Sequence, residues 1–312
     1  MCKQYALIRR AGVIGMMVLC YLAISAMTAV ADEHSLWIPD STQTQIVSLK
    51  DGSTLVGRIT EIGDDEVTIQ TSAGSFTVAK EKIADVKLVE SSAYRDGVYW
   101  FPNPNRTRLY VGPTGRCLRK GEGYFSDMLI FFPSVSYGLT DNVTIGGGMS
   151  LVPGIDFDRQ LFYLMPKIGL DVKENIAIAA SAIIIQIPDF DDDDDEDGDL
   201  VDLDEGVTVG VLFASSTIGT DDKSLTLGLG FGFADDEIAD NPAVLVGGEY
   251  RVARRLSLVT ENWIFPEVDD PLISYGVRFF GEQLSIDLAL FNILNDDAIF
   301  PGFPFVGFVW NF

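Results

Sequence analysis

The sequence predicts an all-β protein: a transmembrane antiparallel β-barrel of about twelve strands, preceded by a small β-rich module. Three observations carry that expectation. From residue 106 onward, apolar residues alternate with small or polar ones in segments of spanning length. The gaps between segments alternate between tight turns and longer, mostly acidic loops. The chain ends on a strand rich in aromatics, Phe305-Val306-Gly307-Phe308-Val309-Trp310-Asn311-Phe312.

Residues 1–31 read as a secretion signal. Lys3, Arg9 and Arg10 form a positive start, Ala11 to Ile24 is an uncharged apolar stretch, and Ala29-Val30-Ala31 is a small-x-small cleavage pattern ahead of Asp32-Glu33. The apolar stretch is shorter than the roughly 17–25 residues a spanning helix needs, which favours cleavage over an uncleaved anchor. Cys20 follows Val18-Leu19, without the small residue that lipoprotein signals carry before their cysteine. Of the three cysteines, Cys2 and Cys20 lie in the signal, so Cys117 has no intrachain partner in the mature chain.

The formal net charge is -24 and the sequence pI about 4.2, with 47% hydrophobic residues and a mean hydropathy of +0.21. Nucleic acid is a poor partner for such a chain, because phosphate binding needs clustered Lys and Arg. The acidity suits a surface that repels anions or gathers divalent cations, and equally one that only aids solubility.

Residues 36–90 form the small module and 91–105 a connector containing Tyr99-Trp100-Phe101-Pro102-Asn103-Pro104. Five short alternating pieces, 46–49, 54–60, 66–70, 76–78 and 83–88, are separated by turns such as Lys50-Asp51-Gly52 and Gly63-Asp64-Asp65. They predict a small, strongly bent barrel. The run Leu49-Lys50-Asp51-Gly52-Ser53-Thr54-Leu55-Val56-Gly57-Arg58-Ile59-Thr60 resembles small barrels of the Sm-like and SH3-like type. Sm-like relatives often bind RNA, an expectation not carried over to an exported acidic chain without a basic stripe.

The long zone, 106–312, is the expected barrel. Lipid on one side and lumen on the other place apolar residues at every second position. Leu225, Leu227, Leu229, Phe231 and Phe233 alternate with Ser224, Thr226, Gly228, Gly230 and Gly232. Val143, Ile145, Met149 and Leu151 alternate with Thr144, Gly146, Gly148 and Ser150, and Val207, Val209, Val211 and Phe213 with Thr208, Gly210 and Ala214. Ile273, Tyr275, Val277 and Phe279 alternate with Ser274, Gly276 and Arg278, and Leu284, Ile286, Leu288 and Leu290 with Ser285, Asp287 and Ala289. The expected strands are 106–113, 123–138, 142–153, 160–171, 175–187, 206–218, 223–234, 242–252, 255–265, 271–280, 283–292 and 304–312. Most fit the roughly 9–11 residues of a spanning strand, and 106–113 and 255–265 are the least regular.

Counted from a periplasmic N-terminus, even gaps should be short turns. They are Thr140-Asp141, Lys173-Glu174, Gly219 to Asp222, Ala253-Arg254 and Gly281-Glu282. The longest odd gaps, Pro188 to Glu205, Asp235 to Asn241, Pro266 to Asp270 and Ile293 to Phe303, are mostly acidic. A soluble exported β-sandwich that binds a ligand is the competing architecture, and it would not require this sorting.

The terminal strand, with Val306, Phe308, Trp310 and Phe312 on one face, resembles the terminal signal of bacterial outer-membrane barrels. That resemblance implies outer-membrane lipid as surroundings and the barrel-assembly machinery as a partner, with Phe308, Trp310 and Phe312 as the assembly signal. The stretch Asn103-Pro104-Asn105-Arg106-Thr107-Arg108-Leu109-Tyr110-Val111-Gly112-Pro113-Thr114, with Arg119-Lys120-Gly121-Glu122-Gly123-Tyr124-Phe125, resembles barrel proteins of Bacteroidetes-type bacteria. It implies a family and no activity.

Two constellations could carry function. Asp193, Asp195, Asp197, Gly198 and Asp199 follow the start of a Ca²⁺ loop, with Asp204 where a bidentate Glu usually stands and Glu205 one place late. A solvated acidic loop that binds cations loosely gives the same pattern. Arg108, Lys167, Asp171, Glu249, Arg251, Glu261, Arg278 and Asp287 occupy expected lumen positions, where they would line a narrow, porin-like pore or pair with each other and fill it. No cofactor other than calcium is implied. Enzymatic readings, such as an outer-membrane hydrolase, find no support: His34 is the only histidine, no Cys/His set suits zinc, and Ser215-Ser216 is an ordinary strand end. The expectation is a non-catalytic barrel, channel-like or structural, displaying acidic loops, with its oligomeric state left open.

Overall fold

The computed structural model describes residues 36–40, 43–89, 94–95, 98–188, 206–265, 270–294 and 301–312. The chain divides into two compact units, 25–102 and a larger one that contains 103–312.

In the smaller unit five strands sit on the five expected pieces: β1 (Thr44–Leu49), β2 (Thr54–Ile62), β3 (Glu66–Thr71), β4 (Gly74–Ala79) and β5 (Ile83–Val89). They form one sheet in the order β4-β3-β2-β1-β5. The β1–β2 turn is held by Asp51, whose Oδ1 accepts from the Ser53 hydroxyl and, at 2.9 Å, from the Ser53 amide. Those two bonds hold the Asp51 carboxyl below its usual range. Alternation turns Val47, Ile59, Val67, Ile69, Ile83 and Val86 into one core. Gln45 is buried with them and satisfied on both sides, accepting from Ile59 N (3.0 Å) and donating to the Trp37 carbonyl (3.1 Å). A two-residue ladder, β6 (Tyr94–Arg95) with β7 (Val98–Tyr99), follows.

The larger unit is a closed antiparallel barrel of twelve strands. In chain order they are β8 (Gly123–Met128), β9 (Phe132–Thr140), β10 (Val143–Met149), β11 (Phe162–Lys173), β12 (Ile176–Ile187), β13 (Val207–Gly219) and β14 (Lys223–Ala234). After β15 (Glu237–Ile238), a two-residue extension on β14, come β16 (Ala243–Ala253), β17 (Leu256–Ile264), β18 (Leu272–Phe280), β19 (Leu284–Ile293) and β20 (Phe303–Asn311). Each wall strand pairs with the next, and β20 returns to β8 in a register running from Gly307↔Met128 to Asn311↔Tyr124. Gly123 and Phe312 then exchange two backbone hydrogen bonds of 2.8 Å each, which fastens the seam at its end. One continuous closed sheet is not a two-sheet sandwich, so the sandwich alternative falls.

The barrel is inverted relative to a water-soluble protein. Leu225, Leu227, Leu229 and Phe231 point out and are 42–53% exposed, while Thr226 between them is fully buried. The largest side chain with no exposure at all is Arg278, and Asp287 is equally buried. Leaving a large apolar side chain in water forgoes about 1.5–3 kcal/mol of burial, and this belt repeats that exposure on nearly every strand.

Three expectations need correction. Residues 106–113 are not a wall strand but part of an internal segment, since turn residues break the ladder there. The expected strand 123–138 is two strands, β8 and β9, folded at Leu129-Ile130-Phe131, where Leu129 and Ile130 take left-handed backbone conformations (φ 55° and 71°). The two errors cancel in the count of twelve and preserve the parity of the turns. In β13 the apolar set is reversed: Phe213 is buried in the lumen with Val211 packed beside it, and Leu212 and Ile218 face outward. Phe213 fits because β14 has glycine opposite it: a Cβ at Gly228 or Gly230 would stand 2.2 or 2.5 Å from its ring.

Candidate functional site

Residues 103–118 occupy the barrel lumen as a plug, and the exposed residues 119–121 lead from it toward β8. Its local shape follows from its turn residues. Asn103 Oδ1 accepts from Asn105 N (2.9 Å), a side chain standing in for a backbone turn. Leu109 N donates to the Gly112 carbonyl (2.9 Å), Arg108 and Pro113 form a single bridge, and Thr114 N donates to the Thr107 carbonyl (3.2 Å). The result is a narrow loop with its tip at 109–112.

The plug is bonded to strands around the lumen. Leu118 N donates to Thr144 Oγ1 on β10 (3.0 Å), and Lys167 Nζ on β11 donates to the Thr107 carbonyl (2.9 Å). Gly115 N donates to Thr217 Oγ1 on β13 (2.8 Å). At Gly115 the plug lies against the wall itself, where a Cβ would meet the Ala177 carbonyl oxygen at 2.4 Å and Thr217 N at 2.8 Å. Asn103 Nδ2 donates to Glu249 on β16, Tyr110 OH to the Val259 carbonyl on β17 (2.8 Å), and Asn105 Nδ2 to Ser285 Oγ on β19 (2.6 Å).

Seven of the eight expected lumen charges are buried inside: Arg108, Lys167, Glu249, Arg251, Glu261, Arg278 and Asp287. Arg278 on β18 is their centre. Its Nε and Nη2 hold Asp287 at 2.6 and 2.9 Å, its Nη1 holds Glu249 at 2.8 Å, and Nη2 also donates to the Leu109 carbonyl of the plug (2.6 Å). Arg108, on the plug, reaches the same Asp287 at 3.2 Å. Two arginines thus meet two carboxylates across the plug–wall boundary, and the paired, hydrogen-bonded arrangement is what permits such charges to be buried. Arg251 pairs with Asp222 (2.8 Å) and lies over the Phe280 ring (4.9 Å).

Glu261 on β17 does something different. Its carboxylate accepts three successive plug amides, Tyr110 N (2.8 Å), Val111 N (3.0 Å) and Gly112 N (3.0 Å), and the Trp263 indole N–H (2.8 Å). The plug tip is an anion-binding nest of backbone amides, and the wall supplies the anion. Beside it Leu109 and Tyr110 pack with Phe213, Leu245, Val259, Ala289 and Phe305, so an apolar layer adjoins the charged one.

Asp171, the eighth residue, is exposed. It lines a cleft of about 270 Å³ with Arg106, Cys117, Arg119, Asp141, Gly169 and Leu170. Asp193, Asp195, Asp197, Asp199 and Asp204, and His34, lie outside the described residues. Among the described residues no group of three His, Cys, Asp or Glu is placed to hold a metal ion. Phe308 and Trp310 face outward on β20, and Phe312 closes the seam. Sequence reasoning missed Asn103, Asn105, Tyr110 and Arg116 as lumen residues. The signal was present in Asn103-Pro104-Asn105 and Gly112-Pro113, turn chemistry inside a supposed strand.

No family model and no curated protein matches the chain. Among solved structures, the KdgM porin in complex with disordered oligogalacturonate is 6% identical with a TM-score of 0.41, covering 61% of this chain and 96% of its own. OmpT of Vibrio cholerae is 13% identical with a TM-score of 0.35, covering 87% and 97%. The toluene transporter TbuX of Ralstonia pickettii is 11% identical with a TM-score of 0.32, covering 86% and 87%. At these scores the similarities do not identify what this chain binds or carries.

Proposed function

We propose that the chain is a non-catalytic bacterial outer-membrane barrel, closed at rest by its own residues 103–118. The observation that carries this reading is the closed sheet with an apolar exterior and a buried charge network binding plug to wall. Closed barrels satisfy every backbone group without an edge, the condition for spanning a membrane with strands. The barrel is either a narrow channel that opens when the plug shifts or a structural barrel that displays its acidic loops. Tight turns face the periplasm and the long loops the exterior, which puts the N-terminal module in the periplasm. The order β4-β3-β2-β1-β5, with one 3₁₀ turn (Lys80–Lys82) between β4 and β5, supports the SH3-like reading of that module. The outward aromatics of β20 and its place at the seam support delivery by the barrel-assembly machinery. Sucrose-gradient fractionation with a gel run before and after boiling tests the location. The protein should sediment with outer membrane and shift on boiling, and recovery in the soluble periplasm without detergent would refute the proposal.

A further inference from the structure

The arginines in and around the lumen have carboxylate partners, but Lys167 does not. Arg108, Arg116, Arg251 and Arg278 each form an ion pair. Lys167 is buried on the inner face of β11, and its one hydrogen bond goes to the Thr107 carbonyl, with no ion pair among the described residues. An ammonium carries three donors and a full charge, so most of its need is unmet.

The neighbouring polar groups are unmet as well. Of the four buried hydroxyls without a hydrogen-bond partner among the described residues, three lie on the plug and on the two strands that follow β11: Thr107 Oγ1, Ser181 Oγ and Ser215 Oγ. Thr107 is the plug residue that Lys167 touches. Ser181 stands directly opposite Lys167 in the β11–β12 register. Ser215 lies on β13 opposite Ala179, one inward position from Ser181. Opposite and diagonal positions on adjacent strands are about 5 and 7–8 Å apart, so Ser181 adjoins Lys167 and Ser215, one strand further, adjoins Ser181. Buried groups of this kind ordinarily have partners, and these four, each next to another across the plug and three neighbouring strands, call for one between them.

We propose that Lys167, Thr107, Ser181 and Ser215 bind a small monovalent anion of the halide kind between plug and wall. All four groups donate hydrogen bonds. Water would suit a neutral amine and a dianion would exceed an ammonium's charge, whereas a monovalent anion is the partner that a charged lysine buried here requires. The cleft at the barrel end lies next to the site, because Gly169, which lines it, is two residues from Lys167 on the same face of β11. Its wall carries Arg106 and Arg119 as well as Asp141 and Asp171. The anion joins a plug residue to three wall residues, so its binding stabilises the plugged state. The site depends on the plug geometry and holds whether or not the barrel conducts.

Melting of the folded protein in detergent, with chloride replacing gluconate at constant ionic strength, reads the site by mass action. The melting temperature should rise saturably with chloride. Lys167→Met should abolish the rise. Ser181→Ala with Ser215→Ala keeps the charge and should weaken the apparent chloride affinity by about tenfold. Crystals grown in bromide should show an anomalous peak beside Lys167 Nζ, which decides the matter should Lys167→Met not fold. Melting indifferent to chloride, an unchanged response in the serine variant, or water alone beside Lys167 in the bromide crystals would each overturn the proposal.

Discussion

At the scale of residues, charge pairing sets what each lumen side chain tolerates. Glu261 accepts from donors only, three plug amides and one indole. Glu261→Gln turns one acceptor oxygen into a donor facing donors and should cost about 1–3 kcal/mol. The loss should appear in urea unfolding of the refolded barrel, and stability equal to the parent protein would count against the nest. Arg278→Met leaves Asp287 and Glu249 without their main counter-charge and should cost about 3–5 kcal/mol. The inward placement of Arg278 and Asp287 was legible in the sequence, because each interrupts a period-two apolar strand. Their mutual pairing was not, since it depends on the Arg278↔Asp287 register of β18 and β19. Nor did the spacing place the Arg108 side chain against Asp287, 179 residues away.

At the scale of elements, the plug and the terminal strand make the sharper claims. Cys117, the sole cysteine after residue 31, is a buried plug residue. Its thiol should react slowly with a maleimide in the folded barrel. Gly115→Val should speed that reaction at least severalfold, because the added Cβ collides with backbone on β12 and β13 and lifts the plug. An unchanged labelling rate would show that the plug is held elsewhere. Deleting Phe312 should impair assembly more than Asn311→Ser, since Phe312 makes the two backbone bonds with Gly123 that end the seam. Equal assembly of the two variants would remove that role. Most wall strands could be read from alternation alone. The plug could not, because lumen-facing turns and an irregular strand share a composition of Gly, Asn, Arg and aliphatics. The face of β13 could not be read either: apolar residues mark lipid only where the lumen is polar, and here the lumen holds an apolar layer around Leu109 and Tyr110.

At the scale of the whole molecule, sidedness and closure are the consequences to test. The tight turns at Thr140-Asp141 and Lys173-Glu174 lie at one end of the barrel, and the strand ends that flank the longest gap, Ile187 and Val207, at the other. A protease site inserted at Asp194 should be cut on intact cells and one at Lys173 protected, and the reverse pattern would invert the proposed orientation. The parity of turn lengths made this much visible in the sequence, and it survived the misplaced first strand because the missed fold at 129–131 restored the count. Closure of the lumen was not visible, since it rests on a segment with no strand period. Single-channel recording in planar bilayers, on the refolded chain lacking residues 1–31, tests it most directly. A plugged barrel should insert without steady conductance and show discrete openings in Glu261→Gln and Gly115→Val. A stable open conductance in the unsubstituted protein would contradict it.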